Sequence, residues 1–348
     1  MIRDGDATGK SSVPTCTTPA RVVFVILRSH FVFFEVRVSF FYCMTKVNIA
    51  QGENRRKVIR EVVDALGQGF IDKVKAAKLV LIKPDLVHHE LQLASVHVDA
   101  VRGVLDVIRT YAKVPVIIGD AAHFGTKAGF RNFGYERLLE HYADVKLVDL
   151  QDEDFVEQTF VAANGDQTVV RRPKLALEAD LTISVSNLKV HKDYGAAFSV
   201  SNWAEGTMIV PPRITAQGRV WSRSPWLSVG GPKMMHQMLA FLYTQKPCDV
   251  AVIDGILAME GDGPVNGAPV AMGVALAGFD AVAVDAVAAT LIGLDPHGVG
   301  YLEMIAQAGK GVNEMSKIDV PPVQLMELTR NFQLPVVTRE HLLDWQLE

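Results

Sequence analysis

Residues 249–269 read DVAVIDGILAMEGDGPVNGAP. Val250 to Ile253 form an unbroken apolar run, the pattern of a strand buried on both faces. The run stops at Asp254-Gly255. Glu260 and Asp262 follow in a glycine-rich stretch that reads as a loop. Open α/β sheets bind ligands beyond the carboxyl ends of their strands, so these carboxylates are expected at a site. Two other apolar runs end alike. VLIKPDL (Val80 to Leu86) leaves Lys83 and Asp85, and VPVIIGDAAHFGT (Val114 to Thr126) leaves Asp120 and His123. Three such ends predict one shared pocket.

Outward from these runs, strand-like and helix-like segments alternate, which predicts a layered α/β fold with a mainly parallel sheet. Lys46–Ala50, Leu79–Ile82, Val114–Ile118, Val145–Leu150 and Ala271–Ala277 read as strands, and Thr159–Val190 as several more. Arg55–Leu66 carries Val58, Ile59, Val62, Val63 and Leu66 at helical spacing. His97–Tyr111, Tyr135–Tyr142, Lys233–Tyr243, Val282–Leu294 and Tyr301–Ala308 also read as helices. Between Tyr194 and Pro232 periodicity is lost, and this irregular segment is expected to act as a lid. Asp280 is expected to cap a helix and Asp285 to be structural.

The whole chain has 348 residues, 49% of them hydrophobic, and a formal net charge of −4. That balance gives no basic groove for nucleic acid. The three cysteines, Cys16, Cys43 and Cys248, include no C-x-x-C pair. No intrinsic iron–sulfur cluster is therefore expected, nor a disulfide scaffold, and a cytoplasmic setting is. Ala20 to Cys43 is apolar but broken by Arg28, His30, Glu35 and Arg37, so neither a membrane span nor a secretory signal is predicted. Residues 1–43 are expected to be a mis-called or disordered extension before a start at Met44. A single unit is expected over 44–330, and a tail over 331–348.

The combination of IKPDLV (Ile82 to Val87), IIGDAAHFGT (Ile117 to Thr126), EADLTISVSNLKVHKDYGAAFSVSNWAEG (Glu178 to Gly206), VIDGILAMEGDGPVNGAP (Val252 to Pro269) and FDAVAVDAVAATLIGLDP (Phe279 to Pro296) resembles the domain-of-unknown-function 362 family. The resemblance runs from Val47 to about Asp319. It implies the family's α/β fold and a pocket, with no substrate attached. Two features depart from the family pattern. Ser201-Asn202 stands where relatives have a Lys-Asn pair, and the ferredoxin-like cysteine cluster of many relatives is missing. NLKVHKDYGAAFSVSNW (Asn187 to Trp203) is also distantly similar to the lactate-racemase, nickel-pincer family.

Strand alternation puts Lys189 and His191 on one face, with Val190 opposite. Such a pair can hold an anion, and histidine can move protons near neutral pH. Lys189, His191 and Asp254 are the expected catalytic residues. Lys83, which Pro84 keeps extended, is expected to bind substrate with Asp120, Asn202 and His236. Asp85, Glu260 and Asp262 are oxygen ligands suited to a divalent cation such as Mg²⁺. The acidic residues also fit an acid/base pair or ordinary turns. No histidine has zinc-like spacing, and neither a P-loop, a dinucleotide fingerprint nor a serine elbow is present. Two function classes remain open: an enzyme acting on a small anionic metabolite, and a non-catalytic binding module or redox partner that borrows a cluster from another chain.

Overall fold

A computed structural model describes residues 44–162, 165–216, 218–227 and 230–347. The expectation for residues 1–43 lies outside them. In chain order the strands are β1 (Thr45–Gln51), β2 (Val80–Pro84), β3 (Val116–Asp120), β4 (Val145–Asp149), β5 (Phe155–Val161), β6 (Gln167–Pro173), β7 (Leu181–His191), β8 (Gly195–Ala197), β9 (Arg213–Thr215), β10 (Gly218–Val220), β11 (Val250–Asp262), β12 (Asn266–Gly278) and β13 (Ile318–Asp319). The described residues build a nine-stranded sheet in the order β13-β1-β12-β11-β7-β2-β3-β4, with β8 beside the end of β7. Strands β11, β7, β2, β3 and β4 run parallel, while β12 is antiparallel to both β11 and β1.

The parallel strands are apolar because helices cover both faces. Val80, Ile82, Leu181, Ile183, Val185, Val250 and Val252 meet the helices Arg55–Asp64, Gln68–Ala76 and Val98–Tyr111. Leu81, Leu188, Val190, Ala251 and Ile253 meet the helices Ser199–Glu205, Gly231–Gln245, Ala281–Leu291 and Gly300–Gln307. Each such Val, Leu or Ile contributes about 1.5–3 kcal/mol through burial. The chain steps from β2 to β3 to β4, then returns to lay β7 on the other side of β2. Strand order reverses between β2 and β7, and ligands bind at such a switch point.

Three expectations need correction. The strand at Val250 does not end at Asp254. After an irregularity at Gly255–Leu257, β11 runs on to Asp262 because β12 continues to pair with it, as far as Asp262 opposite Asn266. The glycine-rich stretch is therefore a hairpin arm, with only Gly263 to Val265 as its turn. The segment 194–232 is not an irregular lid throughout: the helix Ser199–Glu205 within it is almost wholly buried. Asp285, fully buried, anchors that helix by accepting the Ser199 and Val200 N–H groups at 3.0 and 2.8 Å. Residues beyond 330 also pack onto the sheet's ligand edge. Gly261 N–H donates to Gln333 O at 2.7 Å, and Thr338 Oγ1 donates to Lys192 O at 2.9 Å. As expected, Asp280 caps its helix, taking N–H groups from Val282 and Ala283.

Candidate functional site

A cavity of about 460 Å³ opens at the carboxyl ends of β2, β3 and β7, against the helix Ser199–Glu205 and the tip of the β11–β12 hairpin. Lys83, Asp85, Asp120, Lys189, His191, Asn202 and Asp262 all line it. Alternation along β7 sends Lys189 and His191 to the cavity and Val190 to the core.

Lys83 is buried, and its Nζ pairs with Asp120 Oδ1 at 2.7 Å. It also donates to Asn202 Oδ1 and, at 3.1 Å, to Pro84 O. Three partners use all three of its protons. Asp120 takes the Leu86 N–H on its other oxygen at 2.9 Å, while Asn202 Nδ2 donates to Ser184 Oγ at 2.9 Å. Burial pushes the Asp120 carboxyl up, and the Lys83 charge pulls it back. Gly206 closes this corner. Its backbone passes so near Lys83 that an added Cβ would push the ammonium group from its present position.

Lys189 is fully buried. Its Nζ pairs with Asp85 Oδ2 at 2.5 Å and donates to Ala94 O at 3.2 Å. It has no third partner among the described residues, so one N–H remains for a ligand. His191 stacks on Tyr194, with ring centroids 3.6 Å apart, and its Nδ1 accepts the Asp193 N–H at 3.2 Å. Burial, helped by the Lys189 and Lys192 charges, holds this imidazole well below the usual histidine range. It is thus neutral at physiological pH, with its proton on Nε2 because Nδ1 is an acceptor.

Sequence reasoning missed three lining residues: Tyr194, Glu205 and Arg223. Tyr194 OH donates to Glu205 Oε1 at 2.5 Å, and burial pushes the Glu205 carboxyl up against that bond. Arg223 is buried, and its terminal nitrogens donate to the carbonyls of Ala121, Trp221 (2.8 Å) and Met208 (3.3 Å). Its Nε has no partner, and no carboxylate pairs with it among the described residues. Glu205 had a usable signal, since it lies three residues after Asn202 and so shares a helix face with it. Arg223 had none, being in a stretch without periodicity.

Several expected site residues lie elsewhere. Asp254 shares no cavity with Lys189. Its side chain lies under the helix Arg55–Asp64, on the same face as Val250 and Val252 but short of the strand ends, where Arg55 Nε meets Oδ2 at 2.8 Å. His236 is buried between helices, its Nδ1 accepting the Tyr301 N–H at 3.0 Å and its ring beside Trp345. Glu260, on the hairpin arm, accepts the Gln333 N–H at 2.9 Å. Of the three expected cation ligands, Asp85 and Asp262 line the cavity and Glu260 does not. Among the described residues no three His, Cys, Asp or Glu side chains gather as a metal site. Asp85 in particular already holds an ammonium where a cation would sit. Cys248 is buried outside the cavity lining, with its thiol pushed up by burial, and does not fit a cluster ligand there.

The family model described as Domain of unknown function (DUF362) matches residues 80–290, from β2 to the helix Ala281–Leu291. The chain belongs to this family. The match includes every strand end that forms the cavity. A thylakoid-associated protein of Synechocystis sp. (strain ATCC 27184 / PCC 6803 / Kazusa) is 27% identical over 286 residues, covering 80% of this chain and 83% of that protein. Among solved structures, the lactate racemase apoprotein from Thermoanaerobacterium thermosaccharolyticum aligns with a TM-score of 0.41 at 16% identity. That alignment covers 68% of this DUF362 chain and 54% of the racemase, so the chain spans about half of that structure's length. No helix among the described residues is long and apolar enough to cross a membrane.

Proposed function

We propose that the cavity receives a small carboxylate and exchanges a proton with it. The observation that carries this reading is the spare N–H of buried Lys189, in a cavity that Arg223 also lines without a carboxylate partner. A volume of about 460 Å³ suits a small metabolite. A phosphate cradle is poorly supported, because the nearby amides are already engaged. Leu86 N–H goes to Asp120, Ala121 N–H to Gly206 O, and Ala122 N–H to Thr126 Oγ1. Neutral His191 can give a proton from Nε2 or, after tautomer exchange, take one. The cavity's paired ions neutralise each other, so the incoming anion meets a polar wall with little net charge. The three-cysteine composition supports a reducing compartment for this work.

Calorimetry with propionate and inorganic phosphate tests the binding. Propionate is expected to bind with one site per chain, and phosphate more weakly. Replacing the ion pair together, Lys189→Met with Asp85→Leu, removes the donor without stranding a charge and is expected to abolish the heat. Unchanged propionate binding by the folded double variant would contradict the site. Proton exchange is read separately with pyruvate, whose keto group acidifies the neighbouring C–H bonds, as deuterium entering its methyl group in D₂O faster than without protein. Its absence at saturation would leave a binding module rather than an enzyme. Asp254→Asn is expected to lower the melting temperature, because it breaks the Arg55 pair, and to leave propionate affinity alone. A loss of affinity in step with the double variant would return Asp254 to the site.

A further inference from the structure

The cavity is lined by three buried or half-buried carboxyls and three buried cations, and they do not pair evenly. Asp85 has Lys189 and Asp120 has Lys83. Glu205 and Arg223 are left over. Both line the cavity, yet they form no ion pair with each other among the described residues. Glu205 Oε1 is held by Tyr194 OH, while Oε2 has no partner among the described residues. A carboxylate entering this space would confront the Glu205 charge with no cation bound to it. Two carboxylates at close range cannot both stay ionised in a dry site.

We propose that Glu205 is the proton-accepting carboxyl of this cavity: as a small carboxylate enters against Lys189 and Arg223, one solvent proton is taken onto Glu205 Oε2. One negative charge and one proton enter together, so the charge of the site is conserved. The neutral carboxyl then donates a hydrogen bond to the ligand, as the Lys189 ammonium does. The inference rests on the reading that the cavity receives a small carboxylate, and it adds that the ligand is a monoanion bound with its proton.

The groups facing Glu205 fit this assignment. Tyr194 reaches it from the β7–β8 turn, and Arg223 from the segment before the short helix Ser224–Leu227. The Lys189–Asp85 pair contributes from β7 and the residue just after β2, and Tyr301 from the helix Gly300–Gln307. Tyr301 OH is itself engaged with Ala196 O at 3.0 Å. Burial favours the neutral carboxyl, and the Tyr194 hydrogen bond opposes it. Tyr194 therefore lowers the pH at which the proton is taken up from where burial alone would put it.

Propionate calorimetry in buffers of different ionisation enthalpy tests the proposal. The protein is expected to take up about one proton per propionate, with affinity falling about tenfold per pH unit above the carboxyl's pKa. Glu205→Gln mimics the neutral carboxyl, so its binding is expected to show no proton uptake and a flat pH profile. Tyr194→Phe removes an interaction that favours the ionised form, and is expected to move the fall in affinity to higher pH. Propionate binding by the wild type without proton uptake at any pH, or uptake that persists in Glu205→Gln, would overturn the proposal while leaving the site intact. Failure of the wild type to bind propionate at any pH would overturn both.

Discussion

Lys189→Met is expected to destabilise the protein by about 3–5 kcal/mol at neutral pH, the cost of stranding one partner of a buried ion pair. Lys189 is fully buried and Asp85 nearly so, at 0% and 9% exposure. The 2.5 Å contact supplies Asp85's cationic partner. Without the ammonium, the Asp85 carboxylate keeps its desolvation cost and loses what offset it. Urea unfolding at pH 7 reads the loss, and Asp85→Leu on the same chain is expected to recover most of it. A single variant as stable as the wild type at pH 7 would show that Lys189 is not buried against Asp85.

Asp285→Ala is expected to cost about 2–3 kcal/mol or more, because each buried donor left unsatisfied costs about 1–3 kcal/mol. Asp285 takes two, from Ser199 and Val200, at zero exposure. Alanine would leave both N–H groups unsatisfied at the start of the helix that carries Asn202 and Glu205. Stability and propionate affinity are expected to fall together, since Asn202 holds Lys83 and Glu205 lines the cavity. Asp285→Asn keeps one acceptor oxygen and is expected to lose about half as much. Thermal unfolding and calorimetry on the same samples check the pairing. A stable Asp285→Ala protein with weakened binding would make Asp285 part of the site itself.

Much of the site can be read in the sequence because parallel strands bring their carboxyl ends to one edge. That is why Lys83, Asp120 and Lys189, far apart along the chain, line one cavity. Asp254 fails the same reasoning for a definite cause. Val250 to Ile253 is apolar at every position, so alternation carries no information about which face Asp254 takes. Val250 and Val252 pack on the Arg55–Asp64 side, and two residues later Asp254 follows them to Arg55. Glu260 was misread because glycine-rich strand pairs look like loops when their partner is unknown. His236 lies in a helix whose buried face takes in Met235, Met238 and Leu239, and that face points at Tyr301. Arg223 depends on long-range placement, for which local periodicity gives no signal, whereas Glu205 could have been found from its helical spacing to Asn202.

The most direct measurement is a crystal structure of the protein grown in propionate at a concentration that saturates the calorimetric signal. The account predicts one propionate in the cavity at the β2–β7 edge, its carboxylate within hydrogen-bond reach of Lys189 Nζ and beside Arg223 and Glu205. A cavity holding only water, with propionate bound elsewhere on the protein, would contradict it.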